Sequence, residues 1–184
     1  MLKIASTPPA QAASSRVVAS FPAPVPPPGC DEHGVRVRWC STRLADQPAL
    51  AGVKHLNRLE NVLARNEWDD PAIAEGLMCD SSGHVVEATM SNVFILENDR
   101  LVTPALDRCG VAGVQRARLI ALARSVCRGC DIDRIARERL LGAEQVYLVN
   151  SVIGAWWISA LEARTWARSP RTPSLIAALR GTDG

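Results

Sequence analysis

The stretch between residues 73 and 104 constrains the fold most, because it divides into short apolar segments with turn-forming residues between them. The segments are AEGLMCD, HVVEAT, NVFILEN and RLVTP, and the turn-forming runs are DSSG and ENDR. Short β-branched and aromatic runs separated by Gly, Asn, Asp and Ser are typical of successive β-hairpins. This stretch therefore predicts an antiparallel meander.

The rest of the chain mixes helical and strand patterns. Residues 34–40 alternate apolar and polar side chains, which predicts a strand, whereas apolar residues across 55–67 recur at helical spacing. The apolar positions of that helix are Leu56, Leu59, Val62 and Leu63. Further helices are predicted at 112–127, 134–142 and 173–180, and further strands at QVYLVNS and GAWWISAL. Because strands and helices do not alternate regularly, the predicted fold class is α+β rather than a doubly wound sheet.

The beginning of the chain has a different composition from the remainder. Residues 5–30 are rich in Pro and Ala. Pro fixes φ and removes a backbone donor, so residues 1–33 are predicted to be partly disordered or extended, with one strand at RVVAS. A chain of 184 residues is long enough for one folded domain, which we place at 34–184.

The charge and hydropathy of the chain argue against several classes of partner. The formal net charge is only +2, and the arginines are interleaved with Asp and Glu, so no nucleic-acid surface is predicted. No apolar run reaches the roughly 18 residues that a transmembrane helix needs, and the start lacks the apolar core of a secretory signal. We therefore expect a cytoplasmic protein with neither a membrane nor a nucleic acid as partner.

The chain has six cysteines, of which Cys127 and Cys130 form a C-x-x-C pair. A structural zinc site needs four ligands, so this pair alone does not predict a metal site. A redox pair is an alternative, but the strand-to-helix context of a thioredoxin-like motif is missing. We expect reduced cysteines that serve as small apolar residues, and no metal.

The distribution of basic residues singles out Lys54. The chain has 21 Lys and Arg residues, and only Lys3 and Lys54 are lysines. An ε-amine can lose its proton and condense with an aldehyde, which a guanidinium cannot do. The aldehyde cofactor that exploits a lysine in this way is pyridoxal 5′-phosphate. The alternative interpretation of Lys54 is a solvent-exposed lysine at the start of a helix.

Two further requirements of that cofactor, a partner for its ring nitrogen and a phosphate cradle, also have candidates. Glu87 ends a predicted strand in apolar surroundings, and Gly110 and Gly113 precede a predicted helix whose free N–H groups suit a phosphate. Hydroxyl groups of Thr103 and Ser151, which end predicted strands, are candidates for further contacts. The alternatives are a surface carboxylate at position 87 and glycines that only shape a loop.

Two segments resemble the signatures of a known family. LAGVKHLNRLENVLAR and GHVVEATMSNVFILENDRLVTPALDRCGVAGVQR are similar to the lysine segment and the second signature of the class IV aminotransferase-like pyridoxal-phosphate enzymes. The wording KHLNRLE favours the 4-amino-4-deoxychorismate lyase branch over the branched-chain and D-amino-acid aminotransferases. The resemblance runs from about residue 34 to about residue 155.

The resemblance implies a fold, a cofactor and a set of site residues. The fold would be the C-terminal domain of the D-amino-acid aminotransferase-like class, a barrel-like mixed sheet with flanking helices, and the cofactor pyridoxal 5′-phosphate. Lys54 would be the Schiff-base lysine and the catalytic acid/base, and Glu87 the partner of the pyridine nitrogen. The phosphate would meet Gly113, Val114 and Gln115 at the helix start, and Asn150 and Ser151 at a second turn. Arg58 and Asn92 would support the site.

The implied activity is conversion of 4-amino-4-deoxychorismate to 4-aminobenzoate, a folate precursor, and pyruvate. An aminotransferase of the same family and a non-catalytic remnant are the alternatives. The family also has an N-terminal domain and an R-G-Y loop that have no counterpart here, where the sequence reads ASTPPAQAASS. A homodimer is implied if the missing domain is supplied.

Overall fold

The computed structural model describes residues 18–22 and 26–180, and these form one mixed sheet with helices around it. The helices are α1 (Cys30–His33), α2 (Leu59–Arg65), α3 (Val114–Val126), α4 (Arg137–Gly142) and α5 (Thr172–Arg180). The strands are β1 (Val35–Leu44), β2 (Ile73–Asp80), β3 (Val85–Ala88), β4 (Asn92–Glu97), β5 (Arg100–Pro104), β6 (Cys130–Asp133), β7 (Gln145–Asn150), β8 (Gly154–Leu161) and β9 (Arg164–Thr165).

Six of these strands form a closed ring, which we call the barrel. Their order is β3, β2, β1, β8, β7 and β4, and pairing between β4 and β3 closes the ring. Strand β1 runs parallel to both its neighbours, while the other barrel pairings are antiparallel. Strands β5 and β6 extend from β4, and β9 pairs with β8. The α+β class and the mixed, barrel-like sheet with flanking helices are thus confirmed.

The apolar residues of each barrel strand divide between two faces. In β4, Val93 and Ile95 belong to one buried cluster, whereas Phe94 and Leu96 belong to another that also contains Leu119 of α3. This division follows from the period of two residues along a strand, which points neighbouring side chains to opposite faces. Both faces of β4 are therefore covered, and the strand is a rigid support for Asn92 at its beginning.

Most of the predicted elements are found in the structure. The meander is confirmed, because β2, β3, β4 and β5 pair antiparallel in succession. The predicted strands at 34–40, QVYLVNS and GAWWISAL correspond to β1, β7 and β8. Helices α3, α4 and α5 lie within or within one residue of their predicted ranges. No helix among the described residues has both the length and the apolar character needed to cross a bilayer.

The predicted helix at 55–67 is only partly right. Helix α2 begins at Leu59, and its apolar positions do not form a buried stripe, since Leu56 is 74% exposed and Leu59 65%. The buried residue of α2 is Ala64. Residues 53–58 are irregular: Gly52 before them is bound to residues 110 and 112, and the Arg58 N–H donates to the Leu56 carbonyl (2.9 Å) instead of to a carbonyl four residues earlier. Lys54 therefore does not lie at the head of a helix.

Parts of the predicted N-terminal segment lie outside the described residues. This applies to residues 1–17 and 23–25, and so to the first two residues of the predicted strand RVVAS. Residues 181–184, at the other end of the chain, also lie outside the described residues. Residues 18–20 of that segment contain no strand. At the end of the predicted extended segment, α1 contacts β8, where the Trp157 indole N–H donates to the Asp31 carbonyl (3.2 Å). The boundary at residue 34 stays a prediction.

Candidate active site

Lys54 lies in an irregular stretch that leads into α2. We call residues 50–63, which comprise this stretch and the first part of α2, the lysine segment. Its backbone is held by Gly52, whose N–H donates to the Gly110 carbonyl (3.0 Å) and whose carbonyl accepts from the Ala112 N–H (3.0 Å). Gly52 has a φ of +77°, a conformation that L side chains rarely adopt. The lysine segment is thus fixed against residues 110–112, and the Lys54 side chain is exposed.

Glu87 is fixed against the same residues from the other side. It lies in β3, is only 4% exposed, and its Oε2 accepts a hydrogen bond from the Val111 N–H (2.7 Å). Its Oε1 lies 3.6 Å from Arg58 Nη2. Residue 110 must be small, because a Cβ there would come within 2.7–2.8 Å of Leu106 and Val86 side-chain atoms. The alternative of a surface carboxylate at position 87 is wrong.

The electrostatics of Glu87 reflect both burial and nearby positive charge. Burial raises the pKa of this carboxyl above its usual value, whereas the Val111 N–H, the Arg58 guanidinium and the charge of Lys54 lower it. The lysine segment and the buried Glu87 are thus both attached to the 110–112 backbone.

Asn92 connects this backbone to the start of α3. Its Nδ2 donates to the Val111 carbonyl (2.7 Å), and its Oδ1 accepts from the Gly113 N–H (3.1 Å). A Cβ on residue 113 would lie 2.3 Å from Asn92 Oδ1, so glycine is required for this close approach. Asn92 is 6% exposed, and its placement agrees with the supporting role that the resemblance implies.

Helix α3 begins with unoccupied backbone donors. Its N-cap is Gly113, and no side chain caps it, so the first N–H groups of the helix, from Val114 and Gln115 onward, lack intrahelical acceptors. Val114 is exposed, and Gln115 Oε1 is buried without a hydrogen-bond partner among the described residues. Such a helix start attracts an anion, because the free N–H groups and the helix dipole both favour negative charge.

The turn that contains Ser151 adjoins Asn92 as well. Val149 pairs with Asn92 across β7 and β4. Asn150 Nδ2 donates to the Met90 carbonyl and to Ser91 Oγ (both 3.1 Å), and its Oδ1 accepts from the N–H groups of Val152 (2.8 Å) and Ile153 (2.9 Å). Ser151 itself is exposed at this turn. The two predicted phosphate-side segments, 113–115 and 150–151, therefore lie on either side of Asn92.

Thr103 does not belong to this group. It is fully buried, and its hydroxyl donates to the Val93 carbonyl (2.8 Å) and accepts from Arg116 Nε (3.2 Å). Arg116 also donates to the Pro104 carbonyl (2.9 Å). These bonds attach α3 to β5, so the hydroxyl of Thr103 has a structural use.

The C-x-x-C pair is distant in role from this site. Cys127 ends α3 and Cys130 begins β6, and both are free thiols. Burial raises the pKa of the Cys130 thiol to about 11. A thiol with a raised pKa holds little of the reactive thiolate at neutral pH, so the structure favours the apolar use of this cysteine over a redox pair.

Several buried polar atoms near the site have no hydrogen-bond partner among the described residues. Arg58 Nη2 and Gln115 Oε1 belong to residues that the resemblance implied, whereas His55 Nδ1 and Asn61 Oδ1 belong to residues that the sequence reasoning missed. Buried polar groups in native proteins are normally paired, so such atoms call for an explanation. Their location in the lysine segment and at the start of α3 suits a polar ligand. A signal was present, since KHLNRLEN carries several polar residues beside Lys54.

This barrel, with a lysine and a buried glutamate fixed to one glycine-bounded segment, agrees with the class of protein that the two signature segments resemble. A family model described as amino-transferase class IV matches residues 3–161. The chain belongs to the class IV aminotransferase family, whose members are pyridoxal-phosphate-dependent enzymes.

Individual relatives include lyases and aminotransferases. An aminodeoxychorismate lyase of Vibrio harveyi is 37% identical over 132 residues, which are 72% of this chain and 49% of that protein. Branched-chain-amino-acid aminotransferase-like protein 2 of Arabidopsis thaliana is 33% identical over 128 residues, 68% of this chain and 23% of that protein. The chain thus spans about half the length of the first of these curated relatives and about a quarter of the second.

The fold agrees with a solved relative. The crystal structure of 4-amino-4-deoxychorismate lyase from Pseudomonas aeruginosa matches with a TM-score of 0.86 and 44% sequence identity, covering 92% of this chain and 63% of that chain. The resemblance to this lyase branch is thereby confirmed.

Proposed function

We propose that this chain binds pyridoxal 5′-phosphate through Lys54 and acts as an aminodeoxychorismate lyase, an enzyme that converts 4-amino-4-deoxychorismate to 4-aminobenzoate and pyruvate. The observation that carries the proposal is that the lysine segment and Glu87 are attached to the same residues, 110–113. Gly52, two residues before Lys54, binds Gly110 and Ala112, and Glu87 binds the Val111 N–H. Gly113, the last of these residues, is the N-cap of α3.

The residues present fit the cofactor. A phosphate suits the free N–H groups at the start of α3, and a protonated ring nitrogen suits a buried carboxylate with one oxygen left free of backbone donors. Glu87 Oε2 is taken by Val111, so Oε1 is the oxygen that remains for the ring nitrogen. Arg58 Nη2 and Gln115 Oε1, which have no hydrogen-bond partner among the described residues, supply further polar partners for the cofactor. When bound, pyridoxal 5′-phosphate supplies an aldehyde that condenses with amines and a ring that accepts electron density.

The acid–base work falls to Lys54. With the cofactor bound, Lys54 Nζ would take the proton from the substrate carbon that bears the amine. The carbon–oxygen bond to the enolpyruvyl group would then break, which leaves an aromatic ring, and the proton would pass to the leaving enolpyruvate, which becomes pyruvate. A positioned amine of this kind typically contributes about 10²–10⁴-fold to the rate.

Arg58 favours the ionised form of the Glu87 carboxyl. Burial alone would favour a protonated Glu87, and the guanidinium of Arg58 lowers the pKa of this carboxyl. An ionised Glu87 can hold a proton on a ring nitrogen by a charge-assisted hydrogen bond, which is stronger than a neutral one. Arg58 is thus a positioning residue that acts through Glu87.

The binding experiment uses the small number of lysines in the chain. The purified protein is mixed with pyridoxal 5′-phosphate, reduced with borohydride, digested and analysed by mass spectrometry for a pyridoxyl group. We expect the group on Lys54, because the lysine segment and Glu87 are attached to the same 110–112 backbone. The Lys54→Arg variant keeps the charge but cannot condense with the aldehyde, so it should stay unlabelled, whereas Lys3→Arg should be labelled as the unchanged protein is. Label absent from Lys54 in the unchanged protein would refute the proposal.

The product then separates the lyase from an aminotransferase. The aminotransferase deserves a test because the Arabidopsis relative is described as branched-chain-amino-acid aminotransferase-like. Protein loaded with cofactor is supplied either with 4-amino-4-deoxychorismate or with glutamate and a branched-chain keto acid. We expect 4-aminobenzoate and pyruvate in equal amounts from the first mixture. Amino-group exchange in the second mixture alone would favour the aminotransferase, and neither reaction would favour the non-catalytic remnant.

A further inference from the structure

Glu75 is a buried acid that the proposed chemistry does not use. It lies in β2 and is 1% exposed. Burial raises the pKa of this carboxyl above its usual value, although several hydrogen bonds lower it. Charged side chains are rarely buried unless they are paired, so the partners of Glu75 show what it does.

The partners of Glu75 are almost all in one turn. Its Oε1 accepts hydrogen bonds from the Thr89 hydroxyl and from the Gly76 N–H (3.1 Å). Its Oε2 accepts from the Met90 N–H (3.1 Å) and from Ser91 Oγ (3.3 Å). Residues 89–91 join β3 to β4, and therefore Glu87 to Asn92. One carboxylate thus receives a donor from each residue of the turn that separates the two residues.

A second turn is attached to the first. Ser91 Oγ also accepts from Asn150 Nδ2 (3.1 Å), and Asn150 Oδ1 accepts from the Val152 and Ile153 N–H groups. The position of turn 150–153 therefore depends on the position of turn 89–91. On the other side, Asn92 accepts from the Gly113 N–H at the start of α3 (3.1 Å).

We propose that Glu75 is a positioning residue for phosphate binding, which holds turns 89–91 and 150–153 in place beside the start of α3. The inference rests on the proposed function, since it assigns the phosphate of the cofactor to that place. A carboxylate can accept all four hydrogen bonds at once, whereas the amide of glutamine turns one of its two terminal atoms into a donor. Glu75→Gln therefore leaves the N–H of either Gly76 or Met90 without an acceptor, at almost unchanged volume.

The test compares two ligands that differ only in the phosphate group. Dissociation constants for pyridoxal 5′-phosphate and for pyridoxal are measured by titration. The ratio of the dissociation constant of pyridoxal to that of pyridoxal 5′-phosphate reports how much the phosphate strengthens binding. We expect Glu75→Gln to reduce this ratio about tenfold, the effect of losing one well-placed charged hydrogen bond, with pyridoxal affinity unchanged. Ser91→Ala removes the link to Asn150 and should also reduce the ratio.

A matched control lies at the other end of the same strand. Asp80 is 2% exposed and accepts from the His84 N–H (2.8 Å), so it holds the turn between β2 and β3 as Glu75 holds the turn after β3. Asp80→Asn should change stability without changing the ratio. If Glu75 were only a structural residue, its variant would weaken both ligands equally, as a loosened fold would.

The outcomes separate this inference from the proposed function. An unchanged ratio in Glu75→Gln and Ser91→Ala, with cofactor still bound at Lys54 in the unchanged protein, would overturn the positioning role alone. Failure of the unchanged protein to bind either ligand would overturn both proposals. If Glu75→Gln does not fold by circular dichroism, Ser91→Ala decides the question, because it keeps the Glu75 carboxylate and its other three hydrogen bonds.

Discussion

The barrel and the lysine segment contain similar apolar residues in opposite environments. In the barrel, Leu77, Phe94 and Leu148 are fully buried. In the lysine segment, Leu56 and Leu59 are mostly exposed. The difference comes from what each region pairs with: barrel strands have neighbours on both sides, whereas the lysine segment is held mainly by the backbone of Gly52 and by a few side chains.

This contrast teaches that the site is built on a rigid side and an open side. Glu87 and Asn92 stand on barrel strands and are buried, so their positions are set by packing. Lys54 stands on a segment in which Val53, Leu56 and Leu59 are also exposed. Substitutions in the two regions should therefore differ strongly in their effect on stability.

The largest effect is expected in the barrel, from Phe94→Ala. Phe94 is fully buried and packs in the cluster that contains Leu119 and Tyr147. Removal of its ring leaves a cavity, which should lower the free energy of unfolding by about 3–5 kcal/mol. Urea denaturation followed by circular dichroism measures this value. A cost below about 1 kcal/mol would show that this cluster is not packed in solution.

A smaller effect is expected where the barrel meets the start of α3, from Gly113→Ala. The added Cβ would meet Asn92 Oδ1 at 2.3 Å, so Asn92 or the helix start must move, at a cost of about 1–3 kcal/mol. The affinity for pyridoxal 5′-phosphate should fall with it.

The matched control for this glycine is Gly142→Ala. A Cβ at Gly142, the last residue of α4, would meet nothing within 4 Å, and alanine is the better helix former by about 1 kcal/mol. This variant should be neutral or slightly more stable, with cofactor affinity unchanged. Equal losses of affinity in both variants would show that the contact between Gly113 and Asn92 does not position the helix start.

The same contrast explains what could be predicted from the sequence. Barrel strands such as β4 and β7 were predicted because both of their faces are apolar and turn residues bound them. Lys54 and Glu87 were selected as site residues by their chemistry and by resemblance, and the structure attaches the lysine segment and Glu87 to the same 110–112 backbone. Their roles in catalysis remain predictions.

The errors fall in the open region and in long-range contacts. The helix predicted at 55–67 assumed that the spacing of Leu56 and Leu59 indicates burial, but spacing does not reveal whether a partner surface is present. Glu75 was missed because its partners lie 14–16 residues away in sequence. The antiparallel pairing of β2 with β3, with Leu77 opposite Ala88, brings these residues together, and the sequence pattern predicted the meander without its register.

Arg58→Met, at the boundary of the two regions, should lower the free energy of unfolding by about 1 kcal/mol, to an extent that depends on pH. The usual pKa of a glutamate is 4.5, and burial raises the pKa of Glu87 above it, while Arg58 lowers it. An acid with a raised folded-state pKa contributes stability below its unfolded pKa and loses this contribution as pH rises through the folded pKa. Without Arg58 the folded pKa rises further, so the variant should lose more stability than the unchanged protein.

The measurement is the free energy of unfolding of both proteins at several pH values. The two free energies of unfolding should differ little below pH 4.5. The difference should increase as pH rises above the folded pKa of Glu87 in the unchanged protein, until Glu87 is ionised in the variant as well. Arg164→Met is the control, since Arg164 also lies over a tryptophan ring (Trp166, 5.0 Å) and forms no ion pair among the described residues. A difference for Arg58→Met that does not vary with pH would exclude its charge as the stabilising factor.

The smallest effect is expected in the lysine segment, from Leu59→Ala. Because Leu59 is 65% exposed, its truncation removes few contacts and should change the free energy of unfolding by less than about 0.5 kcal/mol. The comparison with Phe94→Ala is direct, since both variants truncate a large apolar side chain to the same residue. A cost above about 2 kcal/mol, approaching the values for buried leucines, would mean that Leu59 is covered in solution. The open side of the site would then be closed by a surface that residues 18–22 and 26–180 of one chain do not supply, and a cost that falls on dilution would identify that surface as a second molecule.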